Sequence, residues 1–150
     1  MPASPYRQLA VDRRIALVAH ELTKSRETRE GFILRLVAKG GGFRPATIRK
    51  WPVEQLAREI VRRNMESPEE EIGLLQLLYV ELEPAMQIHF LEAAGVQHEN
   101  GSIPDDLEPP FASAEQVQSA AASLRRQFGE GAEHYLHTIK VYNGEAWPGL

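Results

Sequence analysis

Cations and aromatic side chains are concentrated in one short stretch of the chain. Residues 39–51 read Lys-Gly-Gly-Gly-Phe-Arg-Pro-Ala-Thr-Ile-Arg-Lys-Trp. Backbone N–H groups of a glycine-rich turn can approach a phosphate closely, Arg and Lys can neutralise it, and an aromatic ring can stack on a base. The stretch therefore predicts a site for nucleic acid or another polyanion, or for a protein partner. The candidate residues, including those of the following helix, are Lys39, Arg44, Arg49, Lys50, Trp51, Arg58, Arg62 and Arg63.

The charges of the chain are sorted by sign. Residues 1–65 hold 14 Lys and Arg against 6 Asp and Glu, a net charge of +8, and residues 66–150 hold 3 against 15, a net charge of −12. Such asymmetry is typical of chains with an interaction surface. The overall pI of about 5.8 fits poorly with a dedicated nucleic-acid-binding domain, whose pI is usually above about 9.

Three explanations of this asymmetry stay open. The basic part can bind a protein partner or a second copy of the chain, which we favour. It can bind nucleic acid through the turn at 39–51. It can also fold against the acidic part, in which case the charges serve the structure. We therefore predict a binding or adaptor protein, or a subunit of an assembly, with nucleic acid as the alternative partner.

Two pairs of potential metal ligands stand three residues apart, a spacing that places both members on one helix face. The pairs are His89 with Glu92, and His134 with His137. Helix-bundle metal sites use such pairs from several helices, and their ligands point inward. A helical wheel instead places both pairs away from the apolar residues of their helices. A helical metalloprotein is therefore a second alternative, and we expect no cofactor.

Motifs of common catalytic sites are missing from the sequence. It contains neither the Gly-x-Ser-x-Gly of serine hydrolases nor the glycine-rich phosphate loop of nucleotide-binding enzymes. It also contains no cysteine, which excludes thiol nucleophiles, disulfides and thiolate zinc sites. The prediction is for a protein that is not an enzyme.

The elements that must position these residues are predicted to be helices. Apolar residues recur at spacings of three and four, the period of an amphipathic helix, and no segment alternates as a strand would. An all-α bundle of about six helices follows, built as a single domain over residues 1–150. The predicted helices cover residues 6–23, 27–39, 52–63, 68–95, 113–128 and 132–142.

The helix predicted over residues 68–95 is the most apolar. Between Ile72 and Leu82 it is apolar on nearly every side, so we expect it to be buried at the centre of the bundle. Pro84 should kink or break it, because a proline inside a helix removes one hydrogen bond and clashes with the preceding turn.

The connection at 96–112 is long, acidic and rich in proline. Connections of this length without regular structure are uncommon in compact domains. Ile103, Leu107 and Phe111 can either pin it onto its own bundle, which we favour, or present an extended segment to a partner.

The sequence predicts no association with membranes. No run approaches the 18 or more apolar residues of a membrane span. The first residues also lack the apolar segment of a secretory signal. We therefore expect a cytoplasmic protein.

Overall fold

The structure, a computed structural model, describes residues 3–39 and 42–150. Over these ranges it is helical and contains no strand, which confirms the all-α prediction. The chain divides into two compact units, Met1–Leu75 and Gln76–Leu150. Whether the whole chain acts as a single domain stays a prediction. None of the described helices is long and apolar enough to cross a membrane.

Helices of the first unit pack around a core of aliphatic side chains and one phenylalanine. Its members include Leu17, Val18, Leu22, Phe32, Ile33, Leu36, Leu56 and Ile60. The helices are α1 (Val11–Lys24), α2 (Arg26–Ala38), α3 (Pro45–Arg49), α4 (Val53–Arg62) and α5 (Pro68–Gln76), whose last residue belongs to the second unit.

The predicted first helix is wrong at its start. Helix α1 begins at Val11, five residues later than predicted, and Val11 is 53 % exposed. Tyr6 lies instead in a turn before the helix, fully buried, and its hydroxyl donates a hydrogen bond to the carboxylate of Glu66. The turn forms because this long-range contact outweighs helical periodicity, which describes only local spacing.

Arg7 joins this turn to α5 and to the segment before it. Its Nε donates to Glu71 Oε2 at 3.2 Å, and its Nη2 donates to the backbone carbonyl of Glu66 at 3.1 Å. The Glu66 side chain is 0 % exposed and lies 3.7 Å from Arg7 Nη1. Burial and the Glu66 carboxylate together raise the pKa of Tyr6 above its ordinary value, so Tyr6 stays a hydrogen-bond donor.

A capping box and an ion pair stabilise the start of α5. The Ser67 hydroxyl accepts from the Glu70 amide at 3.2 Å, and the Glu70 carboxylate accepts from the Ser67 amide at 2.8 Å. The same carboxylate accepts two hydrogen bonds from Arg35, one of them at 2.8 Å. Arg35 also lies over the ring of Phe32, with its Cζ 4.2 Å from the centroid.

The helix predicted over 68–95 is divided into three in the described chain. After α5, residues Leu77–Leu82 form a π-helix, and α6 (Ala85–Ala93) begins directly after Pro84. The predicted break near Pro84 is confirmed. The amide of Glu83 donates to the carbonyl of Leu78 at 2.7 Å, a wide turn that precedes the proline.

The second unit is built around a chain of aromatic rings. It contains α6, α7 (Ala114–Phe128) and α8 (Glu130–Asn143) after the π-helix. Phe90 of α6 packs edge to face on Tyr135 and Trp147, with ring centroids 5.8 and 5.0 Å apart. Tyr135 in turn packs on Tyr79 at 5.2 Å. Such contacts contribute roughly 0.5–1.5 kcal/mol beyond the burial of area.

The long connection at 96–112 is pinned to this aromatic core. Phe111 packs on Trp147 with centroids 5.3 Å apart, and its amide donates to the carbonyl of Ala146 at 3.1 Å. Earlier in the connection, Gln87 of α6 donates to the carbonyl of Gly101 at 3.1 Å. These contacts support the prediction that the connection folds onto its own unit.

Removal of the Arg7 guanidinium should destabilise the protein strongly. In Arg7→Met the buried Glu66 carboxylate and Glu71 lose their cation, and an uncompensated buried charge costs roughly 3–5 kcal/mol. The measurement is the free energy of unfolding in urea. Arg126→Met, at an exposed position of α7, is the control and should change that free energy by less than about 0.5 kcal/mol. Equal losses in the two variants would contradict the role given to Arg7.

The Arg35–Glu70 pair should make stability depend on pH. Burial raises the pKa of Glu70, but hydrogen bonds from Arg35 and Ser67 outweigh it and hold the pKa below its ordinary value of 4.5. An acid with a lowered pKa stabilises the folded state above its unfolded pKa, and the contribution is lost as pH falls through the folded pKa.

Glu70→Gln keeps an acceptor for the capping box and removes only the charge. We expect it to lower the free energy of unfolding by about 1 kcal/mol at pH 7. The difference from wild type should shrink steadily as pH falls below about 4.5. Urea denaturation at several pH values measures the difference in the free energy of unfolding. The control is Glu69→Gln, at an exposed position of α5. A difference that does not change with pH would rule out the ion pair as its cause.

Candidate interaction surface

The predicted cationic residues lie on consecutive elements of the first unit. Lys39 is the C-cap of α2, Arg44 and Lys50 are the N-cap and C-cap of α3, and Arg58 lies on α4. The name basic surface is used below for Lys39, Arg44, Arg49, Lys50, Trp51, Arg58, Arg62 and Arg63. Gly40 and Gly41 of the predicted glycine-rich turn lie outside the described residues.

Half of these residues are exposed cations without a local counter-ion. Lys39, Arg44, Lys50 and Arg58 are exposed, and none of their side chains forms an ion pair with an acidic residue in the described parts of the chain. A solvated cation of this kind keeps its full charge for an incoming anion and loses no internal contact on binding. These four residues are the part of the basic surface that is best suited to binding.

Three arginines of the basic surface are instead paired within the unit. Arg49 Nη2 donates to Glu30 Oε2 at 3.2 Å. Arg62 and Arg63 share one oxygen of Glu59, at 2.7 and 3.0 Å. The hydrogen bond from Arg62 is the main cause that lowers the pKa of Glu59, against the effect of burial. These pairs reduce the charge that the three arginines present to a partner.

The two aromatic rings of the stretch pack on each other. Phe43 and Trp51 are half-buried in an edge-to-face contact, with centroids 4.9 Å apart. The Arg63 guanidinium lies over the Phe43 ring, its Cζ 5.2 Å from the centroid. The rings therefore hold the end of α4 against the segment around α3. This packing gives them a structural role and makes them less accessible for stacking on a nucleic-acid base.

The predicted turn contains a helix that the sequence analysis missed. Helix α3 has five residues, and helices much shorter than about 12 residues are marginal in isolation. It is held from α2 instead. Ile48 is fully buried, and Arg29 donates to the backbone carbonyls of Trp51 at 2.9 Å and Arg49 at 3.4 Å.

The sequence did not single out Arg29, because nothing in a sequence indicates which distant backbone carbonyls a polar helix residue will bind. Its hydrogen bonds satisfy carbonyls at and just after the C-terminus of α3, which have no partner within the helix. The cations at the two caps of α3, Arg44 and Lys50, thus depend on Arg29 for their position.

The predicted metal ligands do not converge. His89 Nε2 lies 2.9 Å from Ser123 Oγ, and His134 Nδ1 is hydrogen-bonded to the hydroxyl of Tyr79. Glu92 lies 3.5 Å from His98, and His137 is exposed on α8. Across residues 3–39 and 42–150, no group of three or more His, Cys, Asp or Glu is arranged to hold a metal ion.

The wheel prediction for the histidines is wrong for His89 and His134. Both are half-buried instead of lying on a solvent-facing side. His89 packs edge to face on Phe128, and His134 lies beside Tyr79, with ring centroids 5.7 and 5.8 Å apart. A wheel describes one helix by itself, whereas these contacts come from residues distant in sequence.

Comparisons of the chain with protein-family models, with curated protein sequences and with solved structures gave no match. Function must therefore be inferred from the geometry and the charges of the chain itself.

Arg29→Ala should loosen α3 while leaving the other helices of the first unit intact. The loss of hydrogen bonds to the carbonyls of Arg49 and Trp51 should speed hydrogen exchange of the Lys50 and Trp51 amides, which close the last turn of α3. The measurement is amide exchange by NMR. Arg29→Lys, which keeps a donor, should restore part of the protection. Unchanged exchange at α3 in the alanine variant would show that Arg29 does not hold this helix.

Proposed function

We propose that the first unit is a non-catalytic binding module that docks an acidic protein segment on the basic surface. The observation that carries the proposal is the group of four exposed cations that have no ion pair among the described residues, namely Lys39, Arg44, Lys50 and Arg58. They are displayed from helix caps and from α4, so their backbone positions are set before a partner arrives.

Electrostatics favours such a partner in two ways. Charges of one sign on one side of a molecule steer an oppositely charged segment and raise its association rate. Each exposed ion pair then contributes a modest free energy, roughly 0.2–1 kcal/mol. Several pairs are needed for useful affinity, and a segment with carboxylates along its length supplies them.

A protein partner is favoured over nucleic acid by the state of the aromatic rings. Binding of single strands relies on stacking of bases on exposed rings. Phe43 and Trp51 are packed on each other, and Arg63 lies over Phe43. A cytoplasmic location stays part of the proposal.

Charge reversal on the basic surface should abolish binding to an acidic probe. The probe is a fluorescent peptide of twenty glutamates, and its anisotropy is measured at 50 and 200 mM salt. Wild type should bind at low salt and more weakly at high salt, because salt screens exposed charges. Arg44→Glu combined with Lys50→Glu should weaken binding at least about tenfold, since both attractions become repulsions.

The matched control reverses one arginine and one lysine of the second unit. Arg126→Glu combined with Lys140→Glu makes the same change in total charge at exposed positions, and it should leave binding within about twofold of wild type. No binding by wild type at 50 mM salt would overturn the proposal. A twenty-nucleotide single strand that binds more tightly than the peptide, with the same response to Arg44→Glu and Lys50→Glu, would replace the acidic protein by nucleic acid.

A further inference from the structure

An apolar patch lies on the outer face of α2. Leu34 is 59 % exposed, and no other large hydrophobic residue in the described parts of the chain is more exposed. The inward face of the helix is formed by Phe32, Ile33 and Leu36, all buried. Leu34 is therefore not part of the core.

Leu34 is joined on this face by two further apolar residues. Val37 and Ala38 follow it by three and four residues, so they lie on the next turn of the same face. Val37 is half-buried and Ala38 is exposed. The name α2 patch is used below for Leu34, Val37 and Ala38. Exposed leucines that stand singly need no explanation, but a side chain with apolar neighbours on the adjoining turn forms a surface that a partner can cover.

The α2 patch borders the basic surface at both ends. Glu30 precedes Leu34 by four residues on the same helix face, and its carboxylate binds Arg49 of α3 at 3.2 Å. At the other end, Ala38 is followed directly by Lys39. An apolar centre with charged residues at its edge is the usual anatomy of a protein interface.

We propose that the basic surface and the α2 patch form one interface, whose partner is an acidic segment that carries an aliphatic side chain. The aliphatic group covers Leu34, and carboxylates on either side of it meet the exposed cations around α3. The inference rests on the proposed function and adds the apolar half of the recognition. Charge complementarity selects an acidic partner, and the patch selects among acidic partners those with a leucine-like side chain.

Two acidic peptides of equal net charge separate charge from apolar recognition. The first peptide alternates glutamate and serine over twelve residues. The second peptide is identical except that leucine replaces two of the serines, which stand four residues apart. Wild type should bind the leucine peptide about tenfold more tightly at low salt, because an aliphatic side chain is buried on Leu34. Leu34→Ala should reduce that preference to about twofold and leave the affinity for the serine peptide unchanged.

The matched control is Leu82→Ala, the same substitution at an exposed leucine of the second unit. It should keep the full preference for the leucine peptide, and circular dichroism should show both alanine variants folded. Equal affinity of wild type for the two peptides, or a preference that survives Leu34→Ala, would overturn the role of the patch while leaving the basic surface as a binding site. Binding of neither peptide at low salt would instead overturn the proposed function itself.

Discussion

Charge compensation inside the first unit is the constraint on which the rest of its surface depends. Glu66, Glu70 and Glu71 lie just beyond the basic stretch of the sequence, and they bind Arg7 and Arg35. Pairing offsets the desolvation of a guanidinium near a buried region, which costs several kcal/mol for an isolated charge. Residues 1–75 still hold 14 Lys and Arg against 10 Asp and Glu, a net charge of +4, so the compensation is partial.

Two of the uncompensated cations, Arg44 and Lys50, cap a helix that contains no acid. Both cations are exposed, whereas Arg49 of the same helix is paired with Glu30 of α2. The helix itself is held by Ile48 in the core and by Arg29 at its C-terminal carbonyls. Because the backbone that carries these cations is held in place, less conformational entropy of the protein is lost when a partner binds them. The proposed interface follows from this combination of firm attachment and free charge.

Much of the fold could be predicted from spacing alone. The recurrence of apolar residues located α2, α4, α7 and α8 to within a few residues, since each helix is long enough to show it over more than two turns. The predicted helix starts at residues 68 and 113 lie within one residue of the observed starts of α5 and α7, where the capping boxes at Ser67 and Ser113 form through local hydrogen bonds. Helix α3 was missed for the opposite reason, since five residues are too few to show a period.

The candidate site was less predictable than the fold. Residue type alone singled out Arg44, Lys50 and Arg58, but it equally singled out Arg49 and Arg62, which are paired with acids. Exposure and pairing depend on which side chains meet in three dimensions, and Glu30 is 19 residues from Arg49. Leu34 had no signal at all, because an aliphatic residue in a helix is expected to be buried.

The amino-acid sequence by itself determined that this protein is helical, where proline breaks its most apolar segment, and that its charges are sorted by sign. These properties depend on local spacing and composition, which are independent of the fold. Tertiary structure alone decided which cations are paired, that Phe43 and Trp51 pack on each other, and that Leu34 is exposed. Such features arise from contacts between residues far apart in the chain, and no local pattern encodes them.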